Sequence, residues 1–180
     1  MNVILVSSLR TEDLSKETRA DIIELCVAAH QKEDFRNLFK YVLSGGWHFL
    51  AYYEELLLCH AMATTRWLQP EGYPLLKTAY IDAVSTLPAY QHQGYGSALM
   101  RQLAVTIDPE YTIASLETDK EGFYERLGWK TWRGPLAGRD KGRLIPTPEQ
   151  HGIMVLSLSQ TPALDFDSML TIDCQHGRIW

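Results

Sequence analysis

The stretch PAYQHQGYGSALM, residues 88–100, places two glutamines and two glycines directly before an apolar helical pattern. A glycine-rich turn at the start of a helix exposes backbone N–H groups that have no partner within the helix. Together with the partial positive charge of a helix N-terminus, these groups suit an anionic ligand such as a phosphate. A plain tight turn would use the same glycines, so this segment alone leaves both interpretations open.

The loop is predicted to join a strand, residues 75–87, to a helix that begins near Tyr95. Before it, the pattern predicts a strand at 2–8, helices at 15–31 and 34–43, and two antiparallel strands that turn near Glu54 and Glu55. After it come a strand at 111–118, a short helix closed by Gly128, strands at 129–134 and 152–159, a surface loop at 135–148 and a helix within 164–173. This order predicts an α+β fold. Residues expected only to pack the sheet are Trp47, His48, Tyr52, Cys59 and His60.

Length and composition are typical of one soluble domain. The chain has 180 residues, 46% of them hydrophobic and 22% charged, and a formal net charge of −5, which is unfavourable for a nucleic-acid binder. No run approaches the ~20 apolar residues of a membrane helix, and the N-terminus lacks the basic start of a signal peptide. The cysteines Cys26, Cys59 and Cys174 form no disulfide or zinc spacing, so we expect reduced thiols, a cytoplasmic protein and no metal site.

The strand, the QxxGxG loop at 91–96 and the helix are followed about one strand–helix unit later by FYERLGW, residues 123–129. Together these motifs resemble the GNAT superfamily of N-acetyltransferases. The resemblance implies a GNAT acyltransferase fold, with a mixed, mostly antiparallel sheet flanked by helices, in a single domain over residues 1–180. It also implies acetyl-CoA as the cosubstrate and an amine as the acetyl acceptor.

The resemblance assigns roles around this loop. Backbone amides between Gln91 and Gly96 would hold the diphosphate, the Val84 amide would stabilise the oxyanion, and Tyr124 would protonate the departing thiolate. The implied cofactor-binding set is Val84, Ser85, Thr86, Gln91, His92, Gln93, Gly94, Tyr95 and Gly96. Ordinary sheet pairing is the alternative for Val84 and Thr86, and a buried aromatic side chain is the alternative for Tyr124.

Four segments are similar, more narrowly, to the aminoglycoside 2′-N-acetyltransferases: residues 14–22, Asp34–Phe35, residues 123–135 and the final GRIW, residues 177–180. This resemblance makes Asp82 the general base, through water, although the family more often has Glu there; a solvated strand charge is the alternative. It also gives the α-carboxylate of Trp180 a role at the amine. The implied catalytic set is Asp82, Val84, Tyr124 and Trp180. The implied substrate-binding set is Asp34, Asp82, Ala83, Ser115, Glu149, Gln150, Arg178 and Trp180.

Two positions depart from relatives that act on polyamine aminoglycosides, because Gln150 and Arg178 stand where those proteins have acids. Each lost carboxylate removes a charge-assisted partner for an ammonium group, worth about 1.5–3 kcal/mol. A guanidinium instead suits a carboxylate, so an aminoglycoside with few amines and an acidic group, such as kasugamycin, is favoured. A solvated tail residue is the alternative for Arg178. Two other functions are possible: acetylation of a different amine (a polyamine, metabolite or protein N-terminus) and binding of CoA without turnover. A homodimer is a possible oligomeric state.

Overall fold

The computed structural model describes residues 5–42, 44–175 and 178–180. The described residues within 1–64 and 81–105 form one compact unit, and those within 65–80 and 106–180 form another. Two long strands, β3 (Leu56–Pro70) and β4 (Leu76–Thr86), each contribute to both units. Among the described residues, no helix is long and apolar enough to cross a membrane.

The first unit combines a three-stranded antiparallel ladder with helices. Strand β1 (Leu5–Arg10) pairs with β2 (Trp47–Tyr53), which pairs with the first part of β3. Helix α1 (Lys16–His30) begins where the Ser15 side chain accepts a hydrogen bond from the Thr18 amide at 3.0 Å, and it ends at a left-handed Gln31. Buried residues of its core are Leu14, Ile22, Leu25, Cys26, Leu50 and Leu57.

Two further helices belong to this unit. The predicted helix at 34–43 is a 3₁₀ turn at Glu33–Asn37 followed by a short α2 (Leu38–Tyr41). The predicted helix after the glycine loop is α3 (Tyr95–Ile107), whose apolar positions Leu99, Met100 and Leu103 are buried. Its periodic apolar face explains why this element was predictable from sequence.

The remaining elements of the chain are β5 (Ile113–Glu117), α4 (Glu121–Glu125), β6 (Lys130–Thr131), β7 (Leu136–Asp140), β8 (Arg143–Pro146), β9 (Ile153–Ser157) and β10 (Leu170–Asp173). The second unit is built on the strand order β6-β9-β5-β4-β3-β10-β7-β8. The β4–β5 and β7–β10 pairs are parallel, whereas the β5–β9, β6–β9, β3–β10 and β7–β8 pairs are antiparallel. The predicted α+β class with a mixed, mostly antiparallel sheet is confirmed.

Two local predictions are wrong. The surface loop predicted from Pro135 to Pro148 is the β7–β8 hairpin, whose turn at Lys141 and Gly142 has φ angles of 47° and 80°. All four β8 residues are exposed, so the strand has no alternating apolar pattern. The helix predicted within 164–173 is replaced by β10, whose buried Leu170 and Ile172 pair with distant strands that override the local pattern.

Candidate active site

The loop between β4 and α3 has the open backbone that the sequence predicted. Residues 91–94 are exposed, and His92 and Gly94 have φ angles of 60° and 89°. The first hydrogen bond of α3 runs from the Ala98 amide to the Gly94 carbonyl at 3.0 Å, so the amides just before Ala98 form the first helical turn. A Cβ at Gly94 would meet no atom within 4 Å. The loop therefore offers room and N–H groups to an anion, and diphosphate binding stays a prediction.

The two glutamines of the loop contact the protein's own backbone. Nε2 of Gln91 donates to the Thr86 carbonyl at 3.1 Å, and Nε2 of Gln93 donates to the Ala89 carbonyl at 3.1 Å. These bonds join the loop to the end of β4 and to its own first turn. The amide side chains thus stabilise the loop, while its backbone supplies the groups for a ligand.

Strand β4 contains an unusual residue at its centre. Ala83 has a φ of 51°, in the left-handed region that costs an L-residue about 1–2 kcal/mol. The half-buried Asp82 and Val84 flank Ala83, so its left-handed backbone affects the direction of both side chains. The Ala83 carbonyl oxygen lies 3.1 Å from Nδ1 of His60 and 3.2 Å from Oγ of Ser85.

Behind Ala83 lies a buried chain of polar side chains. His48 and His60 are both fully buried, with Nδ1 of His48 3.0 Å from Nε2 of His60. Nε2 of His48 lies 3.1 Å from the Thr11 hydroxyl. Burial lowers the pKa of His60 to about 3, with His48 as a second cause, and lowers the pKa of His48 to about 4, with the Arg19 charge as a second cause. Both imidazoles are therefore neutral at physiological pH.

The sequence pattern assigned these histidines to packing alone. A signal was present, because the predicted hairpin at Glu54 and Glu55 brings their strands together. The register pairs His48 with Met62 and Leu50 with His60, which makes the two imidazoles diagonal neighbours.

The Ser85 side chain connects β4 to α1. Its hydroxyl lies 3.0 Å from Nε2 of His30 and 3.4 Å from Sγ of Cys26. Burial raises the pKa of the Cys26 thiol to about 11, so this sulfur stays protonated. The His30 ring stacks on Phe35 with 4.8 Å between centroids. Ser85 is thereby connected to the segment that carries the exposed Asp34, whose role at a substrate stays a prediction.

In the second unit, Tyr124 lies on α4 and is buried. Its ring packs edge-on against Trp129 at 5.8 Å and against Phe123 at 4.9 Å between centroids. Burial, with Asp119 as a second cause, raises the pKa of Tyr124 to about 12. The phenol therefore keeps its proton at neutral pH, as a general acid must, and its catalytic role stays a prediction.

Other predicted substrate residues of this unit already have protein partners. The fully buried Ser115 donates its hydroxyl to the Met154 carbonyl at 3.0 Å. Nε2 of Gln150 donates to a carboxylate oxygen of Glu117 at 2.9 Å, whereas Glu149 is exposed. Glu117 was not predicted from the sequence, and it places an acid beside Gln150 at the end of β5.

The C-terminal segment is held by buried contacts. The Trp180 ring is buried and its Nε1 donates to the Thr147 hydroxyl at 3.0 Å, while Nε of Arg178 donates to a main-chain oxygen of Trp180. The buried Arg66 donates to the Ile179 carbonyl at 2.7 Å. Gly177, the first residue of GRIW, lies outside the described residues.

Comparison with known proteins decides the family. The acetyltransferase (GNAT) domain family matches residues 10–132. This chain is a GNAT acetyltransferase. The predicted superfamily, fold and acyltransferase activity are thereby confirmed, and GNAT acetyltransferases use acetyl-CoA and an amine substrate.

This GNAT chain is also similar to characterised and solved proteins. It is 25% identical over 177 residues, 96% of this chain and 90% of the relative, to the aminoglycoside 2′-N-acetyltransferase of Mycolicibacterium fortuitum. A GNAT acetyltransferase from Brucella melitensis, solved with acetyl-CoA, matches at a TM-score of 0.59 and 17% identity, covering 98% of this chain and 99% of that one. Eis1 of Mycobacterium abscessus matches at a TM-score of 0.61 and 20% identity over 75% of this chain; that match spans 32% of Eis1, about a third of its length. The two structural matches show the fold alone.

Within each unit of this GNAT enzyme, some predicted residues adjoin one another. Asp82 to Thr86 lie on one stretch of β4, and Gln91 connects its end to the glycine loop. Arg178 contacts Trp180 in the other unit. Across residues 5–42, 44–175 and 178–180, no group of three or more His, Cys, Asp or Glu side chains is placed to hold a metal ion.

Proposed function

We propose that this acetyltransferase transfers the acetyl group of acetyl-CoA to the 2′-amine of an aminoglycoside in the cytoplasm and so confers resistance to it. The observation that carries the proposal is the similarity to an aminoglycoside 2′-N-acetyltransferase over 96% of the chain. Asp82 and the left-handed Ala83 next to Val84 on β4 support it further.

In this proposal the acetyl group passes directly from sulfur to nitrogen, without a covalent enzyme intermediate. Asp82 accepts a proton from the attacking amine through water, so that the nitrogen lone pair can form the bond to the acetyl carbon. The Val84 amide donates to the oxygen that becomes an oxyanion. As the carbon–sulfur bond breaks, Tyr124 donates to the departing thiolate.

The pKa of Tyr124 limits how much it contributes. A phenol with a pKa of about 12 is a weaker acid than an ordinary thiol, whose pKa is about 8.5, so complete proton transfer to the thiolate is uphill. Tyr124 therefore acts chiefly as a hydrogen-bond donor to the developing charge. We expect its contribution at the low end of the range for general acids, about 10²-fold.

The preferred aminoglycoside in this proposal is one with few amines and an acidic group, such as kasugamycin. Arg178 supplies a guanidinium for a carboxylate, and Gln150 stands in place of an acid. Glu117, 2.9 Å from the Gln150 amide, and the exposed Glu149 place carboxylates near this position for an ammonium group. Discrimination among aminoglycosides would then depend on Arg178 and Glu117.

The test is thiol release from acetyl-CoA with a panel of amines: kasugamycin, a polyamine aminoglycoside, a free polyamine and a peptide with a free N-terminus. The proposal expects turnover with an aminoglycoside and a higher kcat/KM for kasugamycin than for the polyamine aminoglycoside. The 2′ position follows from mass spectrometry of the product. Turnover with the polyamine or peptide alone would reassign the substrate.

A further inference from the structure

One peptide group of β4, the group that joins Ala83 to Val84, is fixed from its carbonyl side. Nδ1 of His60 and Oγ of Ser85 approach this oxygen to 3.1 and 3.2 Å. A trans peptide is planar, and its C=O and N–H bonds point in opposite directions. The position of the Ala83 oxygen therefore determines the direction of the Val84 N–H.

The carbonyl oxygen also determines where the protons of the buried chain lie. Because a carbonyl only accepts, His60 carries its proton on Nδ1 and presents Nε2 as an acceptor. Nδ1 of His48, 3.0 Å away, therefore donates to it. Nε2 of a neutral His48 then carries no proton and faces the Thr11 hydroxyl at 3.1 Å, and this hydroxyl also lies 3.2 Å from the Gly46 carbonyl oxygen. Each of the two imidazole donors points towards Ala83.

We propose that His60 is a positioning residue for acetyl transfer, which holds the Ala83 carbonyl together with Ser85 and thereby aims the Val84 amide at the oxyanion. The inference rests on the proposed function, in which the Val84 amide is the oxyanion donor. It gives a mechanistic role to a residue of β3, a strand in which the sequence indicated no chemistry.

The conformation of Ala83 makes this support necessary. A left-handed backbone is disfavoured for alanine by about tenfold relative to the ordinary regions, so it persists only where neighbouring groups hold it. Glycine adopts the same conformation without that penalty. Glycine at this position should therefore make His60 dispensable, and this difference supplies the test.

The experiment measures kcat and KM for acetyl-CoA in the wild-type enzyme and in His60 variants. His60→Leu removes the donor and should lower kcat about tenfold, the factor by which alanine disfavours the conformation, with KM changed by less than about twofold. His60→Asn keeps an N–H donor near the position of Nδ1 and should retain most of kcat. In an Ala83→Gly background, the further change His60→Leu should lower kcat by less than about threefold.

The matched control is His48→Leu, at an equally buried histidine whose polar contacts are with Thr11 and His60. It removes both of these interactions but leaves the contact between His60 and Ala83 in place. A kcat close to the wild-type value is expected, together with a loss of stability comparable to that of His60→Leu. Equal losses of kcat in the two leucine variants, or an equal effect of His60→Leu with alanine and with glycine at position 83, would overturn the proposal.

A second measurement does not depend on turnover. Long-range nitrogen–proton NMR spectra report the tautomer of His60, and backbone couplings report φ of Ala83. We expect the Nδ1–H tautomer in the wild-type protein and a change in the Ala83 coupling in His60→Leu but not in His48→Leu. The Nε2–H tautomer would refute the proposed hydrogen bond from Nδ1 of His60 to the Ala83 carbonyl oxygen. If the tautomer and coupling are as expected but no amine is acetylated, the proposed function fails instead.

Discussion

Lowering the pH from 7 to 5 is expected to destabilise this protein through its two buried histidines. The pKa values of His48 and His60, about 4 and about 3 in the folded protein, lie below the ordinary value of 6.5. Between these values the unfolded chain binds more protons than the folded one, so the free energy of unfolding falls as the pH falls. The stabilising contribution is complete above about pH 6.5 and is lost progressively down to the folded pKa values.

The size of the loss follows from the same values. At pH 5 an unfolded imidazole with a pKa of 6.5 is almost fully protonated, whereas the folded imidazoles stay almost entirely neutral. The linkage relation then gives a cost of about 2 kcal/mol for each imidazole and about 4 kcal/mol for the pair. Since a domain has only about 5–15 kcal/mol in total, this is a large part of its stability.

The groups around the pair determine the sign of the effect. His48 faces the Thr11 hydroxyl, the Phe39 ring and, through its field, the Arg19 guanidinium. His60 faces His48, the Cys26 thiol and the Ala83 carbonyl. Burial disfavours the charged form of both imidazoles, and the Arg19 charge adds to this effect at His48. The Ala83 carbonyl favours protonation of His60 but is outweighed by burial, so acid destabilises the fold.

The assay is urea unfolding at pH 7 and pH 5, followed by tryptophan fluorescence, for wild-type protein, His60→Asn and the exposed control His151→Asn. The quantity compared is the difference between the two pH values, because a uniform loss of stability cancels from it. His60→Asn should remove about half of the histidine contribution to that difference, about 2 kcal/mol, and His151→Asn should leave the difference unchanged. The same difference in His60→Asn and wild-type protein would refute the assignment of acid sensitivity to the pair.

Three further predictions concern the proposed reaction. Tyr124→Phe should lower kcat about 10²-fold while leaving KM for acetyl-CoA unchanged, and an unaltered single-turnover rate would remove the phenol from the mechanism. Gly94→Val, at a φ of 89°, should raise KM for acetyl-CoA about tenfold, because both the strain and the side chain affect the diphosphate loop. Gly72→Val, at a φ of 81° and with equally open space, is its matched control and should cost stability without changing KM. Arg178→Asp should lower kcat/KM for kasugamycin relative to a polyamine aminoglycoside, with Arg178→Lys intermediate; an unchanged ratio between the two drugs would show that Arg178 does not select the substrate.

Elements with a strong local signal were predictable from the sequence. The Ser15 cap, the apolar face of α3 and the glycine before it each act within a few residues, so the sequence alone shows them. Strand β10 lacked such a signal, because its partners β3 and β7 lie far away in the sequence. The exposed β8 had no pattern to reveal it beyond the turn at Gly142.

The residues of the candidate site also differ in whether the sequence alone revealed them. The glycine loop and FYERLGW are contiguous motifs, so resemblance to a known family was enough to identify their residues. Glu117 beside Gln150 and His60 beneath Ala83 arise from contacts between segments distant in sequence. The predicted hairpin indicated that His60 lies near His48. The contacts of His60 with Ala83 and of Glu117 with Gln150 are visible only in the tertiary structure.

The sequence and the structure each identify one end of the Ala83–Val84 peptide. The N–H end was assigned from sequence, because the motif alone indicates which strand approaches the cosubstrate. The C=O end is held by a histidine from a different strand and by a serine that also contacts α1. An amide that stabilises an oxyanion must be fixed before the reaction begins, since reorienting it during the reaction would consume the energy it provides. In the proposed mechanism, His60 and Ser85 fix this amide from the carbonyl side of the peptide, which the motif does not describe.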